Sequence, residues 1–205
     1  MTELTITKGE HTRQAIVEAA HQLFIAQGYH GTSMRQIARQ AGIALGGVYN
    51  HFPSKEAIFR AVFFAYHPYR DVLPALEAAR GESIEDLLHD AADHMLAAID
   101  KRPHFLNLLF IEIVEFKNIH TQELFTALLP RGMRILEQVK NAPDKLRAIP
   151  EPMLIRTFIG LFFSYYLTEL IFSRIAPPAF SENAMHYFVD IYLHGILETC
   201  LPQSS

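Results

Sequence analysis

The 205-residue chain has one cysteine, Cys200, and no tryptophan. A lone thiol excludes a disulfide framework and a cysteine-built metal centre, and suits a reducing, cytoplasmic setting. Positive charge is also scarce: 18 Lys and Arg stand against 22 Asp and Glu, for a net charge of -4. That balance argues at first against a nucleic-acid partner. The opening residues, "MTELTITKGEHTR", contain no apolar stretch of the kind a secretory signal requires. The longest apolar run, "FIGLFFSYYLTELIF" from Phe158 to Phe172, carries Glu169 and is flanked by Arg156 and Arg174. It is shorter than the ~20 residues a membrane span needs, so a helix buried in a core or an interface is expected, with no membrane partner. No P-loop, glycine-rich nucleotide loop or Ser/His/Asp order stands out, which argues against an enzyme.

Half of the residues are apolar, enough for a substantial core. Valine and threonine are sparse in the apolar runs, no period-two alternation persists, and spacings of three and four recur. An all-α protein of about nine helices follows. Helix one is expected over residues 10–27, with Ile16, Ala19, Ala20, Leu23 and Phe24 on one face and Gly28 as its stop. Thr32 or Ser33 caps a short second helix, Gly42 turns the chain, and Ser54 caps a helix from Lys55 that Pro68 and Pro74 kink or end. "SIED" at residues 83–86 resembles a capping box before an amphipathic helix. Further helices are expected from Pro103, from Thr121, over about residues 152–174, and from Ser181 to about Cys200.

Charge is unevenly distributed. Residues 1–60 hold six Lys or Arg and four Asp or Glu, leaving twelve and eighteen for the rest. A basic head on an acidic body is compatible with nucleic acid after all. Within that head, "QAGIALGGVY" separates two short helical patterns, as in a helix-turn-helix. Ile37, Ala38, Ile43, Val48 and Phe52 would form its inside. The following residues, "YNHF" before Pro53, combine hydrogen-bonding and stacking side chains in a way that a plain loop does not explain.

The stretch "IVEAAHQLFIAQGYHGTSMRQIARQAGIALGGVYNHFPSKEAIFRAV", residues 16–62, closely resembles the N-terminal domain of TetR-type transcriptional regulators. The order and spacing of "A..LF...GY..TS...IA..AG", "G.VY.HF" and "SKE" carry the resemblance. It covers about a quarter of the chain. The resemblance implies a three-helix DNA-binding domain over residues 1–55 and a helical effector-binding and dimerisation domain over 56–205. It further implies that Thr32, Ser33, Tyr49, His51 and Lys55 reach DNA phosphates, and that Arg35, Leu45, Gly46, Gly47 and Asn50 sit at base edges or the groove floor. Ordinary surface packing is the alternative for Tyr49 and His51. Ala44 and Leu45 stand where the family commonly has a capping residue and a polar one, and Gly47 stands where Thr or Ser is common. Direct base readout should therefore be sparse, and affinity phosphate-driven and salt-dependent.

The same resemblance places a homodimer on the last two helices, for which Phe162, Tyr166, Leu170, Phe188, Ile191, Tyr192 and Leu197 are candidates; burial within one subunit is the alternative. Aromatic residues with polar edges suggest a small, largely apolar effector. Its candidate contacts are Phe105, Phe110, Phe116, Phe162 and Tyr165, with His94, Asn107, Glu112 and Glu169 as polar anchors. Glu112 either edges a cavity or pairs with a base. No cofactor is expected. His186, Asp190 and His194, and His89 with Asp93, have spacings that can share a metal, but a solvated helix face is the simpler reading. The expected function is thus an effector-responsive repressor binding a palindromic operator in double-stranded DNA. A helical protein-interaction module that lost DNA binding, and an all-helical enzyme, are the alternatives.

Overall fold

The computed structural model of the chain describes residues 7–102, 104–141, 146–172, 175, 177 and 182–197. Among them are ten helices: α1 (Lys8–Gly31), α2 (Met34–Gln40), α3 (Leu45–His51), α4 (Lys55–Tyr66), α5 (Tyr69–Ala78), α6 (Ile84–Asp100), α7 (Phe105–Phe116), α8 (Ile119–Lys140), α9 (Glu151–Phe172) and α10 (Ala184–Ile196). The described residues contain no strand; one isolated bridge joins Leu146 to Leu197. The fold is all-α, as the residue spacing requires. The helix beyond the expected nine arises at Pro68. Extended His67 ends α4, as residues before proline favour, and Tyr69–Ala78 forms a helix of its own around Pro74. The expected starts at Pro103 and Ser181 lie outside the described residues.

The chain divides into two compact units, Met1–Pro68 with Arg102–Ala127 and Tyr69–Lys101 with Leu128–Ser205. In the first, Thr7 and Glu10 form a capping box that opens α1. Gly28 breaks that helix at φ 76°, a conformation glycine adopts at no steric cost, and one further turn follows. Ile16, Ala20 and Phe24 of α1 are buried with Ile58, Phe59, Val62 and Phe63 of α4. Phe59 stacks on Phe116 of α7 at 4.5 Å between ring centres and meets Phe24 edge-on, which ties α7 into this unit. Buried Glu112 accepts hydrogen bonds from the backbone N–H of His120 (2.7 Å) and Thr121 (3.2 Å), and lies 2.7 Å from His120 Nδ1. It caps the first turn of α8, which explains why that helix begins before the expected Thr121.

In the second unit the Ser83–Asp86 capping box opens α6 as expected. Ile84, Leu88, Ala92 and Met95 of α6 bury against Leu154 and Phe162 of α9 and Met185, Val189 and Leu193 of α10. Helix α9 departs from its sequence reading. At 22 residues it is long and apolar enough to cross a membrane by length and composition, and little of it is buried. The run from Phe158 to Phe172 is only its C-terminal part, because Glu151–Thr157 continues the same helix.

Candidate nucleic-acid interface

The short helices of the first unit form the expected pair. Ser33 caps α2, accepting from Gln36 N–H while the Gln36 carboxamide accepts from the Ser33 N–H and hydroxyl. Gly42 makes the turn at φ 70°. Ile37 and Ala38 of α2, Val48 of α3 and Phe52 at its end are buried, with Ile43 half-buried between them. The Arg13 guanidinium lies 4.7 Å from the centre of the Phe52 ring and covers it. These contacts fix one face of α3 inward.

The other face is turned out. Gly46 and Asn50 are exposed, Tyr49 is 51 % exposed, and Leu45, Gly47 and His51 are half-buried. Arg35 and Arg39 of α2 are exposed as well. Ala44 provides no side-chain cap to α3, as its methyl group dictates. A Cβ built on Gly46 would meet no atom within 4 Å, and one on Gly47 would make ordinary contact with Ile43 at 3.8 Å. Neither glycine has a positive φ. The packing of the chain therefore does not require glycine at either position.

Two residues expected at phosphates are used differently. Thr32 is buried, and its hydroxyl donates to Gly28 O at 2.8 Å and accepts from Gln27 at 3.3 Å. Its side chain belongs to the α1–α2 junction in the free chain. The Lys55 ammonium donates to Tyr29 O and Thr32 O, each at 2.7 Å, and lies 4.2 Å from the Tyr29 ring centre. Burial lowers its pKa, with Glu115 opposing. Two of its three donors thus close the end of α1, leaving one without a backbone acceptor among the described residues. Glu115 also lies 2.5 Å from His30 Nε2.

The residues expected at an effector are divided between the two units. Phe105, Asn107, Phe110, Glu112 and Phe116 fall in the first unit, and His94, Phe162, Tyr165 and Glu169 in the second. Glu112 caps α8 and meets His120, and Phe116 stacks on Phe59. Asn107 and Phe110 are exposed; His94, also exposed, bonds the Asp90 carbonyl one turn back. A cleft of 290 Å³ in the second unit is lined by Lys140, Leu146, Arg147, Ile149, Glu151 and Leu154, and includes none of these residues.

The candidates for a dimer separate by burial. Phe162 is part of the core, and half-buried Leu197 packs against the same cluster and bridges to Leu146. Tyr192 packs on the same cluster and donates to Leu154 O at 3.0 Å, and Phe188 meets Tyr165 edge-on. Leu170 and Ile191 remain 58 % and 75 % exposed. Ile159, Ile171 and Tyr187, not singled out from the sequence, are exposed too. Helical spacing from Leu170 and Ile191 would have pointed to Ile159 and Tyr187. The Tyr166 hydroxyl is buried with no hydrogen-bond partner among the described residues.

No group of three or more His, Cys, Asp or Glu that could hold a metal ion occurs among the described residues. Nor are the histidines simply solvated. His89 and His186 face each other across α6 and α10, each with an aspartate at its other nitrogen.

A buried α2–turn–α3 pair whose second helix turns a polar face outward is the architecture of helix-turn-helix transcriptional regulators. Residues 16–62 match the family described as bacterial regulatory proteins, tetR family. The chain is 40 % identical over 169 residues to the HTH-type transcriptional regulator SrpR of Pseudomonas putida, spanning 79 % of this chain and 75 % of that protein. Among solved structures it resembles NalD, the secondary repressor of the MexAB-OprM multidrug efflux pump of Pseudomonas aeruginosa. There the TM-score is 0.65 at 22 % identity, over 95 % of this chain and all of that one. It also resembles SmeT, the repressor of the Stenotrophomonas maltophilia multidrug efflux pump SmeDEF. The TM-score is 0.67 at 18 % identity, over 95 % and 97 % of the two chains. The chain belongs to the TetR family of transcriptional regulators. These relatives are DNA-binding regulators and not enzymes.

Proposed function

We propose that the chain is a cytoplasmic repressor that binds a palindromic operator as a homodimer and is released by a small, largely apolar effector. The observation that carries this reading is the outward face of α3: Gly46, Tyr49 and Asn50 are exposed on a helix whose opposite side is locked by Val48 and Phe52. With Arg35 beside them, these residues suit a helix laid in a major groove, Asn50 and Arg35 at base edges and Tyr49, His51 and the third Lys55 donor at phosphates. Ser33 and Leu45 stand at the ends of the same surface, Leu45 suited to a thymine methyl. Residues 1–55 then form the DNA-binding head and 56–205 the body, with α4 and α7 packed against α1 in support of the head.

One helix-turn-helix makes few contacts, and a two-fold dimer doubles them on a palindrome. Ile159, Leu170 and Ile171 of α9 and Tyr187 and Ile191 of α10 are exposed apolar side chains of the kind that a partner subunit covers. For the effector, Tyr165, Glu169 and the unpartnered Tyr166 hydroxyl are the groups that support a site, since a buried hydroxyl calls for a hydrogen-bond partner. Repression of an efflux-pump gene is the kind of role that the structural neighbours NalD and SmeT suggest.

A gel shift with DNA from upstream of the chain's own gene tests the reading. A discrete complex that Asn50→Ala abolishes is expected. Failure to bind any duplex in a randomised-library selection would favour the protein-interaction alternative.

A further inference from the structure

In the second unit His89 and His186 meet ring to ring, Nδ1 to Nδ1 at 2.9 Å. The rings are 4.9 Å apart between centres and inclined by 14°. A face-to-face pair in this protein looks different: His21 and Tyr66 are 3.6 Å apart. A ring nitrogen lies about 1.1 Å from its ring centre, so coplanar rings joined end to end by an N–H···N bond stand ~5 Å apart. His89 and His186 match that arrangement. Their outer nitrogens are also occupied. His89 Nε2 is 2.9 Å from Asp190 Oδ1, and His186 Nε2 is 3.2 Å from Asp93 Oδ1.

Counting donors decides what the chain Asp190–His89–His186–Asp93 holds. It has three links, and ionised carboxylates supply no proton. Each Nε2 must therefore carry a hydrogen, and the central link needs one more. Three protons on two rings make one imidazole and one imidazolium sharing the proton between their Nδ1 atoms. With two protons, either two lone pairs would face each other at 2.9 Å or one Nε2 would face its aspartate without a hydrogen; with four, two N–H groups would collide at the centre. A metal does not fit the gap either, because tetrahedral Zn–N bonds of about 2.0 Å would hold two ligating nitrogens ~3.3 Å apart.

We infer that this seam between α6 and α10 is a proton-binding site, a fastener complete only when the histidine pair carries a single extra proton. Side chains of the quartet are 22 % (His89) to 60 % (Asp93) exposed, so the proton exchanges with solvent. Charged groups occur on each helix packed at the seam. On α6, Glu85 and Asp86 lie one turn before His89, Asp86 being engaged with Ser83, while Asp90 accepts from Arg80 N–H and lies near His94. On α10, His194 bonds the Asp190 carbonyl, and Glu182 precedes the helix. Helix α5, packed on α6, brings Arg70, Asp71 and Glu77, the last paired with Arg131. Helix α9, packed on α10, brings Glu151, paired with Lys140, and Arg156 and Glu169. The inference is independent of the proposed regulatory function.

Two measurements on the full chain test it. Long-range 1H–15N NMR of ring nitrogens near neutral pH should find three protons on the His89–His186 pair, with Nδ1 signals between those of a protonated and a bare nitrogen. Melting curves of the native chain and His186→Gln should differ by about 2–4 °C near pH 6–7, and converge in both acid and alkali. Asp190→Asn, which keeps both rings, should narrow that pH response and not abolish folding. A melting difference that is flat with pH, or two neutral rings each bearing one proton at neutral pH, would overturn the inference. So would a zinc-induced rise in melting temperature that His186→Gln removes.

Discussion

Replacing Gly46 by alanine should strengthen the protein and weaken its hold on DNA. Gly46 lies in the first turn of α3, a helix that begins without a side-chain cap. Glycine costs about 1 kcal/mol relative to alanine in a helix, so the substitution should stabilise the folded chain by up to that amount. For a chain of this length it corresponds to a rise of ~2–4 °C in melting temperature. Nothing inside the protein opposes the new methyl group, since a Cβ at this position meets no atom within 4 Å. If the bare backbone of Gly46 approaches a groove floor, that methyl group meets DNA instead. A loss of about 1.4 kcal/mol per dimer would appear as a tenfold weaker dissociation constant. Fluorescence anisotropy on an operator duplex, beside melting curves, reads both effects. Gly132→Ala in α8 is the control: its Cβ also meets nothing within 4 Å, so it should leave DNA affinity unchanged. A G46A protein that melts higher and binds operator as tightly as the native chain would refute a close approach at Gly46.

Other substitutions probe the supports of this surface. Lys55→Met should lower the melting temperature, by an amount corresponding to about 1–3 kcal/mol, because Tyr29 O and Thr32 O lose their shared charged donor. Lys55 acting only at phosphates would leave the melting temperature of free protein unchanged. Acid should loosen the first unit. Burial, with help from His104, lowers the pKa of His21 to about 4, and burial lowers that of His67 to about 4. The unfolded chain, with histidines near 6.5, then binds more protons between those values. Stability is full above about pH 6.5 and falls as pH drops toward 4; melting curves showing no such fall, or a fall that His67→Phe does not reduce, would contradict it. Ile191→Glu should shift the chain toward monomer in light scattering while leaving its helical circular dichroism intact, since Ile191 is exposed within one subunit. An unchanged mass would remove α10 from the dimer face.

Much of the first unit was legible in the sequence because its determinants are local. The spacing of Ile37, Ala38, Val48 and Phe52, the caps at Ser33 and Ser54, and the turn at Gly42 each act within a few residues. What was not legible depends on partners distant in sequence. Lys55 turns inward because carbonyls at residues 29 and 32 converge on it. Thr32 is lost to the surface because the kink at Gly28 offers it a carbonyl. Glu112 could be read as an anchor or as one half of a pair; only the reversal of the chain at Lys117 and Asn118, both with positive φ, brings His120 back to it. The histidines of α6 and α10 looked like two separate solvated stripes, and the packing of the helices joins them. Phe162 and Leu170 have the same apolar character, and only the direction each faces on α9 sorts core from surface.

The central claim is that the outward face of α3 binds operator DNA, largely through phosphates and in a two-fold dimer. Equilibrium binding of the purified chain to a palindromic duplex across a range of salt concentrations tests it most directly. The account predicts two chains per duplex, loss of binding on Tyr49→Ala with Asn50→Ala, and a slope of log affinity against log salt of about -5 or steeper, as six or more phosphate contacts require. Binding that hardly changes between about 50 and 200 mM salt, or that survives both substitutions, would contradict it.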